Sequence, residues 1–567
     1  MRRAPVHAEK PARRRDEAPR CHLAFFNDAS DDIEFIAARG GQPAMTPRPT
    51  IYLETMGCQM NVLDSELVFG SLRATGYEPT GDLHRADVVI INTCSVRQHA
   101  EDKVWSRLGQ LKRSRGRNPD QIVAVIGCMA ERDGERLLER APMVDILCGP
   151  SELHRLPALI ADVQTRRKRA VALSGRLRDL STPVHTLAQH DDLEALDSGR
   201  ALGLEPHVAM PRVVGRHQAY VRITRGCNKY CTFCVVPYTR GPEVHRPADQ
   251  IVDEVRRLAA AGVMEVTLLG QTVNHYHHID DAGRETSFAA LLRRVHDEVP
   301  ELPRLRFVTS YPRDFTDEAL QVMAESPRIC RYLHVPAQSG SNPVLKRMNR
   351  GYTVEQYLAF IDRARAAMPD VCISGDMIVG FSGETEADFA ASLDLLRRCK
   401  YKNCYIFKYS TRPGTTAHDR LPDDVPEAVK RRRNNDMLAV QADISLANHR
   451  AMIDRVVDVL VEGPSKRAIQ AQESEQDRGR EIAAHDDRRA VFAGQLVGRT
   501  SGDQIVVFSG RAELIGRIVP VRVTAVTPHT MHGDLAEAAE TADRIGAAGT
   551  PPASRRSLNV LPSSCAN

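Results

Sequence analysis

Short β-branched runs alternate with stretches of helical period over residues 49–165. TIYLE, DVVIIN, QIVAVIG and VDILCG read as strands, while 62–75, 98–113 and 131–140 repeat apolar residues every three or four positions, as a helix with one buried face does. Strands that alternate with helices predict a parallel sheet. The alternation returns over 213–445, where AYVRIT, MEVTLLG, RLRFVTS, RYLHVP, VCISGDMIVG and NCYIFKYS are separated by helical stretches at 248–261, 286–299, 315–325, 342–368 and 385–398. Six such repeats fit an open (β/α)6 barrel, with a helix near 426–450 leading out of it. Residues 446–532 instead hold VVDVLVEG, FAGQLVGRT, QIVVFSG, ELIGRIV and VRVTAVT, short strands punctuated by glycine that predict a small β-barrel. A polar insertion interrupts it near 466–489. Residues 1–48, 166–212 and 533–567 carry no sustained pattern and read as a disordered arm, a linker and a disordered tail. The expected fold class is therefore an α/β multidomain chain: a parallel α/β domain, a partial (β/α)6 barrel and a small C-terminal β-barrel.

Composition narrows the classes. No window approaches the ~20 apolar residues of a membrane span, which excludes an integral membrane protein. The 567 residues are 42% hydrophobic and 26% charged, the balance of a globular chain. The net charge of +4 is matched by the surplus of Arg2, Arg3, Lys10, Arg13, Arg14, Arg15 and Arg20 over Glu9, Asp16 and Glu17, so the remainder is formally neutral. Bulk charge therefore does not announce a nucleic-acid binder. Thirteen cysteines, an odd number behind a start that lacks an apolar secretory segment, point to a reducing cytosol and to metal or catalytic thiols rather than disulfides.

Two cysteine groups stand out. Cys227, Cys231 and Cys234 lie in GCNKYCTFC, directly after the first strand of the six-strand region. Three thiolates on one [4Fe–4S] cluster leave an iron open to a chelating ligand. The alternative is structural zinc, which takes four ligands; the nearest histidines in sequence are His217 and His245. Cys58, Cys94 and Cys128 are far apart, yet each ends a strand, in IYLETMGC, VVIINTC and IVAVIGC. The carboxyl ends of parallel strands meet along one edge, so these thiols can converge on a second cluster; buried cysteine as a small hydrophobe is the other reading. Polar or glycine-rich residues also close the barrel strands: Gln271, Asn274, Ser310, Gln338 with Ser339, the Gly380–Glu384 turn and Tyr409.

The CxxxCxxC loop on a partial barrel resembles the radical S-adenosylmethionine (SAM) superfamily. TMGCQMN, NTCSVR, GCMA, RGCNKYCTFCVVPYTRG, LLGQTVN, YPRDFTDE, VPAQSGSN, MNRGYT and IFKYSTRPGT closely resemble, in this order, the MiaB family of tRNA methylthiotransferases, and the last β-barrel resembles the RNA-binding TRAM module. The resemblance covers roughly 49–465 and 490–532. It implies two [4Fe–4S] clusters, one on Cys227, Cys231 and Cys234 and an auxiliary one on Cys58, Cys94 and Cys128. It also implies SAM as cofactor, with Phe233 against the adenine and Gln271, Asn274, Ser310, Gln338 and Gly380 touching SAM or substrate. No catalytic residue is assigned beyond the cluster ligands. Cys21, Cys148, Cys330, Cys372, Cys399, Cys404 and Cys565 match no ligand position, and Cys148, which ends a fourth strand of the same sheet, is expected to be a spectator.

The activity implied is methylthiolation of carbon 2 of N6-(dimethylallyl)adenosine beside the anticodon. One SAM is cleaved to a 5′-deoxyadenosyl radical and a second methylates cluster-bound sulfur. The partners implied are tRNA and an external electron donor, for a cytoplasmic monomer that does not bind membranes. Lys466, Arg467 and Arg499 are candidate RNA contacts, and the run KRRR at 430–433 is expected to be an exposed helix face. Ser382, Gly375, Thr272 and Glu131 depart from the family wording and are expected to alter loop geometry without touching a ligand. The alternatives are a sister methylthiotransferase acting on threonylcarbamoyl-adenosine or a ribosomal-protein aspartate, and an iron–sulfur RNA-binding regulator that does not turn over.

Overall fold

The structure is a computed structural model that describes residues 48–95, 98–114, 118–174, 194–197, 217–470 and 494–536. The expected arm and tail, and most of the expected linker and insertion, lie outside the described residues.

The first region is a six-stranded parallel sheet of β1 (Thr50–Met56), β2 (Glu78–Pro79), β3 (Val88–Thr93), β4 (Ile122–Gly127), β5 (Ile146–Cys148) and β6 (Ala170–Ala172), in the order β2-β1-β3-β4-β5-β6. VVIINT and IVAVIG are buried at every position, because helices cover both faces of the sheet. Val88, Ile90, Ile122 and Ala124 turn to helices α1 (Gln59–Ala74) and Leu156–Arg166, whereas Val89, Ile91, Val123 and Val125 turn to Gln98–Ser114 and Glu135–Arg140. The 131–140 stretch is two short helices, since Gly134 at φ +52° breaks it.

The second region pairs β7 (Gln218–Arg222), β10 (Glu265–Leu269) and β13 (Arg304–Phe307) in parallel, and β14 (Tyr332–His334), β15 (Cys372–Val379) and β16 (Asn403–Lys408) likewise. The small pairs β8 (Thr224–Arg225) with β9 (Val244–His245) and β11 (His277–Ile279) with β12 (Glu285–Ser287) decorate its loops. The bridge Leu305 to Ile329 and a hydrogen bond from Ser310 N to His334 O at 2.9 Å join the two three-stranded halves, and among the described residues β7 and β16 do not pair. The result is the expected open six-stranded half-barrel. The 342–368 stretch is again two helices, Asn342–Arg347 and Val354–Ala367, split where Asn349 takes φ +55°.

The third region is a closed barrel of β17 (Val456–Pro464), β18 (Gln495–Arg499), β19 (Ile505–Ser509), β20 (Ile518–Val526) and β21 (Met531–Leu535). ELIGRIV and VRVTAVT do not form separate strands. A 3-10 turn at Ala512–Leu514 and Gly516 at φ +82° precede one continuous β20, and the fifth strand is β21. This barrel docks at the amino ends of the half-barrel strands. Arg304, which opens β13, donates Nη1 to Arg499 O and Nη2 to Asp458 O, both at 2.8 Å, and Lys402 Nζ meets Asp503 Oδ2 at 2.6 Å. The carboxyl ends, where GCNKYCTFC sits, face the other way.

Candidate functional site

The register of three strands explains why Cys58, Cys94 and Cys128 meet. Met56 lies beside Thr93, and Thr93 beside Gly127, so the residues that follow leave the sheet together. A buried amide network fixes their turns. Asn61 donates from Nδ2 to Asn92 Oδ1 and Thr93 O, each at 2.9 Å, while its Oδ1 accepts from Cys58 Sγ at 3.1 Å. Asn92 Nδ2 donates to Asn61 O at 2.8 Å, and Thr93 Oγ1 to Ile126 O at 2.7 Å. Gly127 takes φ +95°; a Cβ there would stand 2.6 Å from Asn92 Oδ1 and closer still to Thr93 O, so only glycine passes the chain into Cys128.

Cys58 caps the N-terminus of α1. Its thiol is drawn down to about 6, first by a hydrogen bond from Cys94 and then, against burial, by the Arg240 guanidinium. A thiolate is the form that ligates metal. Burial pushes the Cys128 thiol up, and the positive charge of Arg240 pulls in the other direction. Cys148, at the end of β5, is fully buried, and burial followed by the Glu152 charge raises it far out of the thiolate range, as suits an inert side chain.

The second triplet is wrapped by its own loop. Cys227 N donates to Gly241 O at 3.1 Å, Cys234 N to Cys231 O at 2.9 Å, and Thr232 N to Met348 O at 3.0 Å. Tyr230 is held at φ +46°, and Asn349 Nδ2 donates to its carbonyl at 2.9 Å. Arg350 donates Nη1 to Cys231 Sγ at 3.2 Å and Nη2 to Pro336 O at 3.1 Å, with its guanidinium 4.6 Å from the centre of the Tyr311 ring. Burial raises the Cys227 and Cys234 thiols, and each lies in the field of Cys231.

Both donor sets fit the clusters that the resemblance implies. A single zinc ion holds thiolates about 3.8 Å apart, from Zn–S bonds of about 2.3 Å in a tetrahedron. Among the described residues, only Glu243, His245 and His275 bring three ligand atoms within 4.8 Å of one another; neither cysteine triplet does. Three thiolates suit a cluster that spreads its ligands over several irons and leaves one iron open. The Glu243 group is engaged internally: its Oε2 meets His275 Nδ1 at 2.6 Å, and His245 Nδ1 accepts from His277 N at 2.8 Å.

The other sequence candidates divide. Gln271, just past the end of β10, and Ser310, past the end of β13, each hold a buried side-chain oxygen without a partner, Oε1 and Oγ. Buried polar atoms are normally satisfied, so these are groups a bound polar ligand would complete. Gln338 takes φ +72° and bridges to Met377, and Thr309 nearby takes φ +71°, the backbone strain that gathers at functional sites. Asn274 is committed elsewhere, its amide closing a double clamp on Tyr311 N at 2.7 Å and Tyr311 O at 2.9 Å. Gly380 takes φ +72°, with Lys430 Cγ where a Cβ would stand, and donates its N–H to Glu384 Oε2 at 2.6 Å. Phe233 is half-buried and edge-on to Phe381 at 6.3 Å, beside Tyr409 and Met348.

Two expectations are corrected. Thr272 does reach an expected ligand, its Oγ1 lying 3.7 Å from Cys227 Sγ. The run 430–433 is not an exposed face: Lys430 and Arg433 are buried, Lys430 against Asp423 at 2.5 Å and Arg433 against Glu384 at 2.7 Å, because residues three apart share one side of the helix. Of the candidate RNA contacts, Lys466 is exposed, whereas Arg499 is engaged by Glu462 at 3.0 Å and Asp503 at 2.8 Å. Arg240, Arg350 and Arg412 were not anticipated as site residues. Arg412 bonds Gln98 Oε1 at 2.7 Å and Glu101 Oε1 at 3.1 Å, on the helix that follows Cys94. A cavity of about 960 Å³ between the half-barrel and the closed barrel, lined by Arg331, Arg365, Cys372 and Arg455, lies at the opposite end of β15 from this chemistry.

Residues 50–149 match an uncharacterized protein family, UPF0004, residues 221–396 the radical SAM superfamily, and residues 478–536 the TRAM domain. The chain is thus a radical SAM transferase with a TRAM barrel. It is 43% identical over 484 residues to a tRNA-2-methylthio-N(6)-dimethylallyladenosine synthase of Rhodopirellula baltica, covering 85% of this chain and 95% of that one. It is 40% identical over 485 residues to the synthase of Syntrophotalea carbinolica, covering 86% and 99%. Among solved structures, a radical SAM methyltransferase of Kitasatospora setae, solved with cobalamin and a [4Fe-4S] cluster bound, aligns with a TM-score of 0.45 at 16% identity over 66% of this chain and 77% of that one. The chain belongs to the tRNA-2-methylthio-N(6)-dimethylallyladenosine synthase family.

Proposed function

We propose that the chain, as a monomer in the cytoplasm with an external electron donor, methylthiolates carbon 2 of N6-(dimethylallyl)adenosine beside the anticodon of tRNA. The observation that supports this reading is the adjacency of the two thiol sets: the short helix Val236–Thr239, which begins two residues beyond Cys234, packs on the helix that Cys128 opens. Carbon 2 of an adenine offers acid–base groups no handle; bound clusters and SAM supply the one-electron chemistry and the sulfur. The chain's part is to hold and to orient. Cys227, Cys231 and Cys234 hold one cluster, and Arg350 donates to the sulfur of Cys231. Gln271 Oε1 and Ser310 Oγ offer unpaired oxygens to the polar ends of SAM, and Phe233 offers a ring to its adenine. Cys58, Cys94 and Cys128 would hold the second cluster, which would supply the sulfur, and the packing of Val236–Thr239 on Cys128–Asp133 keeps the two thiol sets on neighbouring elements. The TRAM barrel at the far end of the half-barrel grips the tRNA body, with Lys466 among the exposed cations, and leaves the loop base free to be taken out of its stack.

Mass spectrometry of nucleosides in tRNA from a strain lacking the protein tests this. Loss of the methylthio-dimethylallyl nucleoside, restored by the wild-type chain, is expected. Loss of the threonylcarbamoyl derivative would assign the chain to the sister reaction, and unchanged nucleosides would reject a tRNA substrate.

A further inference from the structure

Arg240 belongs to the half-barrel by sequence and to the N-terminal domain by contact. It follows the short helix Val236–Thr239, which packs on the helix Cys128–Asp133. Its Nη2 donates to Asp64 Oδ2 at 2.7 Å, and Asp64 Oδ1 takes Arg222 Nη1 at 2.9 Å. Asp64 lies on α1, one turn and a half beyond Cys58, and is fully buried. Two arginines of the half-barrel therefore close on a single carboxylate of the neighbouring domain. Asp64 takes one corner of the Arg240 guanidinium, whose charge favours the thiolate form of both Cys128 and Cys58. Arginine suits this place, because its planar fork fixes the direction of the charge held by Asp64 while lysine offers a point charge.

We infer that Arg240 is a positioning residue for the auxiliary cluster, fixing its Cys58–Cys128 edge against the half-barrel through Asp64 and placing a positive charge beside it. The inference rests on the reading that Cys58, Cys94 and Cys128 hold a cluster. Two consequences are separable. Hydrogen bonds and positive charge at cluster sulfurs raise the reduction potential, so loss of the guanidinium lowers it. Loss of the tether lets the two thiol sets drift, so SAM cleavage continues while transfer of the methylthio group fails.

The test uses the full chain reconstituted with iron and sulfide. In a C227A/C231A/C234A background, where only the auxiliary cluster can load, R240M is expected to load iron and to titrate at a more negative potential than its parent. In the otherwise wild-type chain, R240M is expected to form 5′-deoxyadenosine but to lose about 10- to 100-fold in methylthio nucleoside per deoxyadenosine, the scale on which partners of cluster ligands act. R240K keeps the charge and loses the fork, and is expected to restore most of the potential and only part of the ratio. An unchanged potential together with an unchanged ratio in R240M overturns the inference. Should R240M fail to load iron, R240K decides: a wild-type ratio there overturns it and a reduced ratio supports it. The potential is read without tRNA, so it stands or falls independently of the substrate assigned above.

Discussion

Arg350 Nη1 donates to Cys231 Sγ at 3.2 Å while its guanidinium rests 4.6 Å from the centre of the Tyr311 ring. The charge is held in place by Pro336 O and the Tyr352 hydroxyl, at 3.1 Å and 3.0 Å, so it is aimed at the sulfur rather than free to choose a partner. R350Q is expected to slow 5′-deoxyadenosine formation about 10- to 100-fold while leaving the thermal stability of the N-terminal domain near wild type. Chromatographic assay of deoxyadenosine beside melting curves reads both.

Gly127 bears on the auxiliary site through backbone geometry alone. At φ +95°, with Asn92 and Thr93 where a Cβ would stand, G127A is expected to destabilise the chain by roughly 2–4 kcal/mol. Iron bound after reconstitution is expected to fall from about eight per chain to about four, since the loop that carries Cys128 must shift. Iron analysis against protein concentration checks the second figure and denaturant melts the first.

Asp197 gives a pH dependence. Burial opposes its ionisation, but Arg222, Arg225 and Arg246 around it hold the carboxyl well below the usual carboxylate range. A depressed native value means that its contribution is full above the unfolded value near 4 and is lost as pH falls through the native value. D197N is therefore expected to cost about 3–5 kcal/mol at pH 7, and the gap to wild type is expected to narrow as pH falls below about 4. Denaturant melts at pH 7 and pH 3.5 measure the two gaps.

Arg306 holds the β-barrel in place. It reaches Glu265 Oε2 at 3.0 Å and the carbonyls of Thr500 and Ser501 at 3.2 Å, all deep between the domains. R306M leaves the Glu265 carboxylate buried beside a methionine, which is expected to cost about 3–5 kcal/mol. Faster tryptic cleavage between the half-barrel and the β-barrel, with weaker tRNA binding, would register the loosened joint.

Much of this site was legible because its chemistry is local or follows strand ends. The Cys227, Cys231 and Cys234 spacing needs no fold to be read. The Cys58, Cys94 and Cys128 set needs only the rule that parallel strands end together, which the Met56, Thr93 and Gly127 register obeys. Arg240, Arg350 and Arg412 stayed hidden because an arginine whose partner lies a hundred or more residues away looks, in sequence, like any other. Lys430 and Arg433 misled for the converse reason: four consecutive cations read as solvated, yet two share the buried side of a helix whose partners, Asp423 and Glu384, lie elsewhere in the chain. The breaks at Asn349 and Gly134 escaped because apolar periodicity runs through positions where the backbone turns left-handed.

The central claim, that two clusters on one chain divide the labour, is tested most directly by C128A. The full chain is reconstituted with iron and sulfide, then supplied with SAM, reductant and tRNA carrying N6-(dimethylallyl)adenosine. The wild type is expected to yield 5′-deoxyadenosine and the methylthio nucleoside, and C128A to yield deoxyadenosine with no methylthio nucleoside. Methylthiolation by C128A at the wild-type level would contradict the account.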